Sequence, residues 1–266
     1  MTGLATPPAS GADSRHAFVR ARLPVHVFTF GLLAAWQLAS LALPPILLPG
    51  PLAVAAELLR FVSTPRDLAH LVSSITHVLV AIAASFVLGS LLALLADRSP
   101  LARFAIERRI GPFLNAFSGV GWALLATMWF GIGSSSVVFA IGAVLVPFAL
   151  VNTSAGLASL DREIGEMATS FGRRRWRRFR LVTVPLLVPF VVATLRIMFG
   201  VAWKVTLTAE LLGGSKGLGY VINMARQDFD TARIFVVIVL IIAFVHTVDR
   251  LVFAPIQRWL ARQHAG

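Results

Sequence analysis

Six apolar runs follow one another along this chain: Val25–Leu43, Ile75–Ala96, Gly111–Gly131, Val137–Leu157, Leu186–Leu212 and Ile234–Phe253. A helix needs about 20 mostly apolar residues, at ~1.5 Å rise each, to cross the hydrocarbon core of a bilayer. Lipid offers the backbone no hydrogen-bond partner, so runs of this kind are expected as helices, whose backbone groups pair internally. Composition agrees. Hydrophobic residues make up 57% of the chain and charged residues 14%, where a soluble domain carries about 25% charged. The expected fold class is all-α: a polytopic membrane bundle of six transmembrane helices. The third run is the least apolar, diluted by Asn115, Ser118, Gly119 and Gly121. Its small and polar residues suit a helix packed inside a bundle. The fifth is over-long and carries charge, which argues against a position facing lipid.

Basic residues sort between the runs. Segments 15–22, 98–109, 162–180 and 250–262 hold 17 of them, and segments 60–66 and 216–233 hold 5. The positive-inside rule then puts both termini in the cytoplasm, on one side of the membrane as an even number of spans requires. Residues 1–22 are expected as a disordered cytoplasmic N-terminus, 23–258 as the transmembrane domain and 259–266 as a cytoplasmic tail. Val25–Leu43 is long enough to span, and Pro44-Pro45 stands where a signal-peptide cleavage site would be, so it is read as an uncleaved first span. Pro49-Gly50-Pro51 breaks the chain next, and Ala53–Val62 is expected as a short amphipathic helix at the outer surface.

The formal charge of +12 does not point to nucleic acid, because the arginines fall where membrane orientation is set. With no cysteine in the chain, disulfides, thiolate metal sites and cysteine nucleophiles are excluded. No two of the six histidines sit at metal-ligand spacing on one helix face. No nucleophile with its base is apparent, so no catalytic residue, metal or bound cofactor is expected.

The longest inward loop, 160–185, reads LDREIGEMATSFGRRRWRRFRLVTVP. An acidic start, a glycine and a basic end suit two short helices joined at Gly172. Glu166-Met167-Ala168 is followed by Thr169-Ser170-Phe171-Gly172, and nine residues later by Val182-Thr183-Val184-Pro185. In this the sequence resembles the binding-protein-dependent ABC transporter permeases, whose cytoplasmic motif reads Glu-Ala-Ala, three residues, Gly, nine residues, Ile-x-Leu-Pro. Glu166, Ala168, Gly172 and Pro185 match; Met167, Val182 and Val184 are conservative departures. Trp129 to Gly133, Asn152-Thr153, Leu195-Arg196-Ile197, Ala209 to Leu212 and Gly217 to Tyr220 look like the nitrate/sulfonate/taurine branch. Members of that branch often carry prolines entering the third span. Here the region reads Ser118-Gly119-Val120-Gly121-Trp122-Ala123, and Trp122 is a candidate for the pathway wall.

The resemblance implies a type I importer permease fold in a bacterial inner membrane. It also implies two permease copies as a homodimer, two cytoplasmic ATP-binding subunits that hold the ATP and magnesium, and an extracytoplasmic substrate-binding protein. The chain itself would be a transport subunit and no enzyme, forming the path of a small anionic solute. The 160–185 loop would be the ATPase-coupling element. Trp176 and Phe179, at i, i+3, share one helix face and suit an interface; the arginines beside them also suit lipid headgroups.

Charges inside a span are costly and tend to be functional. In the fifth run Arg196, Gly200, Lys204 and Thr208 form one slowly drifting stripe at ~100° per residue. That stripe suits a pathway wall. Equally, Arg196 can snorkel inward and Lys204 can pair with a carboxylate of another helix. Glu210 lies near the outer end of the run, where a gating or binding-protein contact is open to it. An ion-coupled secondary transporter is the alternative class; such proteins carry internal repeats, and none is apparent here.

Overall fold

The computed structural model describes residues 11–158 and 184–263. Those residues form helices joined by short turns. They are α1 (Gly11–Ala42), α2 (Pro51–Ser63), α3 (Pro65–Arg98), α4 (Pro100–Ala105), α5 (Gly111–Ala116), α6 (Gly119–Phe130), α7 (Ser134–Ala158), α8 (Val184–Gly213), α9 (Leu218–Gln227), α10 (Thr231–Val248) and α11 (Ala254–Gln263). Two π-turns, Ile106–Ile110 and Asp249–Phe253, join α4 to α5 and α10 to α11.

Proline and glycine set the boundaries. Pro51, Pro65 and Pro100 each open a helix, where the missing N–H is not needed. The expected surface helix Ala53–Val62 is present as α2. α1 begins at Gly11, so residues 11–22, expected as disordered, lie in a helix.

Four helices are long and apolar enough to cross a membrane among the described residues: Pro65–Arg98, Ser134–Ala158, Leu187–Gly213 and Thr231–Leu260. The first expected span lies in α1, whose described apolar part is Val27–Ala42. The third expected span, Gly111–Gly131, is corrected. It is two helices bent by 86°, so the count reaches five only when Pro100–Ala116 and Gly119–Phe130 are taken as one broken span. The break falls among the residues that dilute this run. Phe117 is extended (φ −94°, ψ 136°), and the Ser118 hydroxyl caps α6 by accepting from the Gly121 N–H at 3.3 Å.

α3 and α7 form the spine. Ala81, Ser85, Gly89 and Ala93 recur every fourth residue on α3 and are all buried. The Ser85 hydroxyl donates to the Gly142 carbonyl at 3.1 Å, and Ser90 pairs with Thr153 at 3.2 Å. Small residues at this spacing let two backbones approach closely, which drives helix association in lipid. α6 and α8 pack on α7, and α9 and α10 close the far side. Ile141, Leu145, Met198, Val236 and Val237 lie fully inside. Outside, α3 exposes Val87, Leu88, Leu91 and Leu95, each by half or more, a surface suited to acyl chains.

Candidate functional site

The expected coupling residues Glu166, Ala168, Gly172, Trp176 and Phe179 lie outside the described residues, and Pro185 is the second residue of α8. The candidate pathway residues are all described, and the structure separates them.

Lys204 is exposed on α8 and forms no ion pair with a described residue. Four residues before it, a Cβ built on Gly200 would meet nothing within 4 Å. Four residues after it, Thr208 is half-buried, its hydroxyl turned to the Lys204 carbonyl at 3.4 Å. This part of the stripe is open and polar, with one free ammonium in a span otherwise rich in apolar side chains.

Arg196 does not share that freedom. Its Nε donates to Asp249 Oδ1 at 2.7 Å and its Nη2 to Oδ2 at 2.9 Å, while Nη1 donates to Gln257 Oε1. A two-pronged guanidinium–carboxylate pair of this geometry fixes orientation as well as charge. It ties α8 to the end of α10 and to α11. Asp249 is the partner that sequence spacing could not name.

Glu210 corrects the expectation of a near-surface contact. It is fully buried and accepts from three donors. His77 Nδ1 lies 2.8 Å from Oε1, and the Ser74 hydroxyl and the Gly219 N–H each donate to Oε2 at 2.8 Å. An ionised carboxylate only accepts, and in that state Nδ1 of His77 is the donor of this contact. Ser74 in turn accepts from the Leu218 N–H at 2.7 Å, and His70 Nδ1 from the Gly217 N–H at 3.2 Å. The turn 214–217 is thereby stapled onto α3. Gly217 has φ +110°, and a Cβ there would run into the Glu210 carboxylate; both facts demand glycine. His70, Ser74 and His77, at i, i+4 and i+7, form one polar line on an apolar span. That periodicity was the signal available in the sequence.

Trp122 is likewise a packing residue. It is 4% exposed, donates from Nε1 to the Leu114 carbonyl at 3.2 Å, and meets Phe113 and Phe139 edge-on. It holds α6 against α5 across the bend. The orphaned polar atom among the described buried side chains is Trp203 Nε1, beside Lys204.

At the end of the bundle near Pro65, α2, α3, α9 and α10 surround a cleft of about 690 Å³. Its charges are of both signs. Arg60 stands 3.6 Å from Glu57, Arg233 pairs with Asp67, and Arg66 and Asp228 are exposed in its wall. Among the described residues no group of three or more His, Asp or Glu is placed to hold a metal ion.

Residues 23–262 match the profile of the family described as "binding-protein-dependent transport system inner membrane component". The chain is 28% identical to the taurine transport system permease protein TauC of Escherichia coli, over 79% of this chain and 78% of that one. It is 30% identical to a probable ABC transporter permease protein of Brucella melitensis, over 85% of this chain and 91% of that one. With the riboflavin transport system permease protein RibX of Chloroflexus aurantiacus it shares 35% identity, over 49% of this chain and 50% of RibX. Among solved structures it resembles a chain of the MetNI methionine ABC transporter in an inward-facing conformation. That match has a TM-score of 0.61 at 16% identity, covering 71% of this chain and 93% of that one, a likeness of fold.

Proposed function

Because the chain belongs to the family of binding-protein-dependent transport system inner membrane components, we propose that it forms the translocation path of an ATP-driven importer for a small anionic solute. The observation that carries the substrate class is Lys204: an exposed ammonium, without a carboxylate among the described residues, on an open stripe of a spanning helix. An anion leaving water loses its hydration, and a fixed cation in a low-dielectric wall offsets part of that loss. A single lysine attracts without the two-pronged grip an arginine would give, so release stays fast. The similarity to TauC, named for the transport of a sulfonate, agrees with an anionic group; RibX is named for riboflavin, so the solute is proposed from Lys204.

In this reading two copies of the chain face each other across the Lys204 stripe. Two ATPase subunits dock on the 160–185 loop with ATP and magnesium, and an external binding protein delivers the solute near the charged cleft at Arg66 and Asp228. The seventeen-to-five distribution of basic residues supports both termini in the cytoplasm.

Lys204→Met preserves length and removes charge. ATP-driven uptake into proteoliposomes is expected to fall about tenfold, equivalent to ~1.4 kcal/mol on the barrier, with the complex still assembled. Unchanged uptake of an anionic solute would remove Lys204 from the path. Uptake that survives an ATPase poison but collapses with an uncoupler would move the chain to the ion-coupled class. Sidedness is tested separately. The chain lacks native cysteine, so single replacements report without background. Lys216→Cys is expected to react with an impermeant maleimide from outside, and Arg175→Cys only after permeabilisation. Reaction of both from one side would overturn the orientation.

A further inference from the structure

α3 has 34 residues and is therefore ~51 Å long, well beyond the ~30 Å hydrocarbon core, so its ends stand among the headgroups. At one of those ends Ser99 is extended (φ −145°, ψ 129°) and Pro100 starts α4, so the chain turns at headgroup depth. A cleft of about 360 Å³ opens at that turn, and Asp97, Ser99, Arg103, Phe104 and Arg108 line it.

Two guanidinium groups converge there. Arg108 lies over the Phe104 ring, 5.8 Å from its centre. Arg103 stands 3.7 Å from Asp97, both of them more than half exposed, too far for a hydrogen bond. One loosely held carboxylate faces two arginines, so a positive charge and most of the N–H donors remain unengaged by described residues. The surroundings are apolar: Phe104 is 51% exposed and Leu101 79%.

We propose that this cleft holds the headgroup of one phospholipid, its phosphodiester between Arg103 and Arg108 and the start of an acyl chain beside Phe104 and Leu101. Planar guanidinium forks match phosphate oxygens in pairs, and the arginine stems lie on apolar surface while their heads reach the polar layer. Free phosphate would meet the same forks. It would leave Leu101 and the Phe104 ring uncovered, and Asp97 repels a dianion more than a phosphodiester. The site requires no particular sidedness of the chain, and it is separate from the path through α8.

The test is lipid counting by native mass spectrometry on the purified, delipidated chain titrated with phosphatidylglycerol. One phospholipid is expected to stay on the unaltered chain at concentrations that leave annular sites empty. Arg103→Gln/Arg108→Gln is expected to weaken that binding about tenfold, and Arg103→Lys/Arg108→Lys, which keeps charge but not the fork, by less. Melting temperature reports whether the double variant is folded; Arg108→Gln alone, which leaves Arg103 and Asp97 in place, carries the same expectation at about threefold. Millimolar inorganic phosphate is expected to leave the lipid bound. Equal retention by the unaltered and glutamine-substituted chains would overturn the proposal, and displacement by phosphate would overturn its lipid source.

Discussion

Glu210→Ala is expected to abolish recovery of folded protein from the membrane, while Glu210→Gln is recovered at a reduced melting temperature. The alanine leaves His77, Ser74 and the Gly219 N–H without their acceptor in a buried site. Breaking such a buried charged network costs about 3–5 kcal/mol, against a total stability of about 5–15 kcal/mol. The amide is a far smaller change. Its oxygen can accept from Ser74 and Gly219 as Oε2 does now, and its NH2 can donate to Nδ1 of His77 in the other tautomer. The remaining loss is that of weaker neutral hydrogen bonds, about 1 kcal/mol. Yield of monodisperse protein and its melting temperature in detergent measure both. Equal stability of the two variants would mean that the carboxylate does not hold the 214–217 turn to α3.

The second large effect is expected at the crossing of α3 and α7. A Cβ on Gly89 would stand 2.8 Å from the Val146 carbonyl oxygen and 2.9 Å from the Leu150 nitrogen. These are backbone atoms inside a helix, and they cannot turn aside as a side chain can. Gly89→Val must push the two helices apart along the row of Ala81, Ser85 and Ala93, a strain of about 3 kcal/mol, the upper end of the usual scale of core overpacking. Gly142→Ala is the control. Its nearest neighbour is the Ser85 hydroxyl at 3.4 Å, an ordinary van der Waals distance for an added methyl. The expected result is loss of folded protein for Gly89→Val and near-normal melting for Gly142→Ala. Equal behaviour would mean that the spine tolerates separation.

Much of this architecture was legible because lipid removes choices. Apolar length alone located α3, α7, α8 and α10. The Pro-Gly-Pro break located α2, and the dilution of the third run by Gly119, Gly121 and Ser118 marked the place where the chain bends by 86°. The bend itself was not legible, since small residues suit a packed straight helix as well as a broken one. At the site, the 3.6-residue period put Arg196, Lys204 and Thr208 on one stripe but was silent on partners. Glu210 reads as a surface charge from its place near the end of an apolar run. Only the return of residues 217–219 over the top of α3 buries it.

The π-turn Asp249–Phe253 has a consequence for which residues can act together. Asp249 and Gln257, both gripping Arg196, are eight positions apart in the chain. In an uninterrupted α-helix eight positions advance ~800°, leaving the two side chains ~80° apart around the axis. A π-turn takes up one additional residue without advancing the helix, so the interval counts as seven and the offset shrinks to ~20°. The carboxylate and the amide therefore face one guanidinium because the helix carries a residue out of phase. A helical-wheel projection of 231–263 drawn at uniform pitch would assign Gln257 to the wrong face, as it would every residue after it.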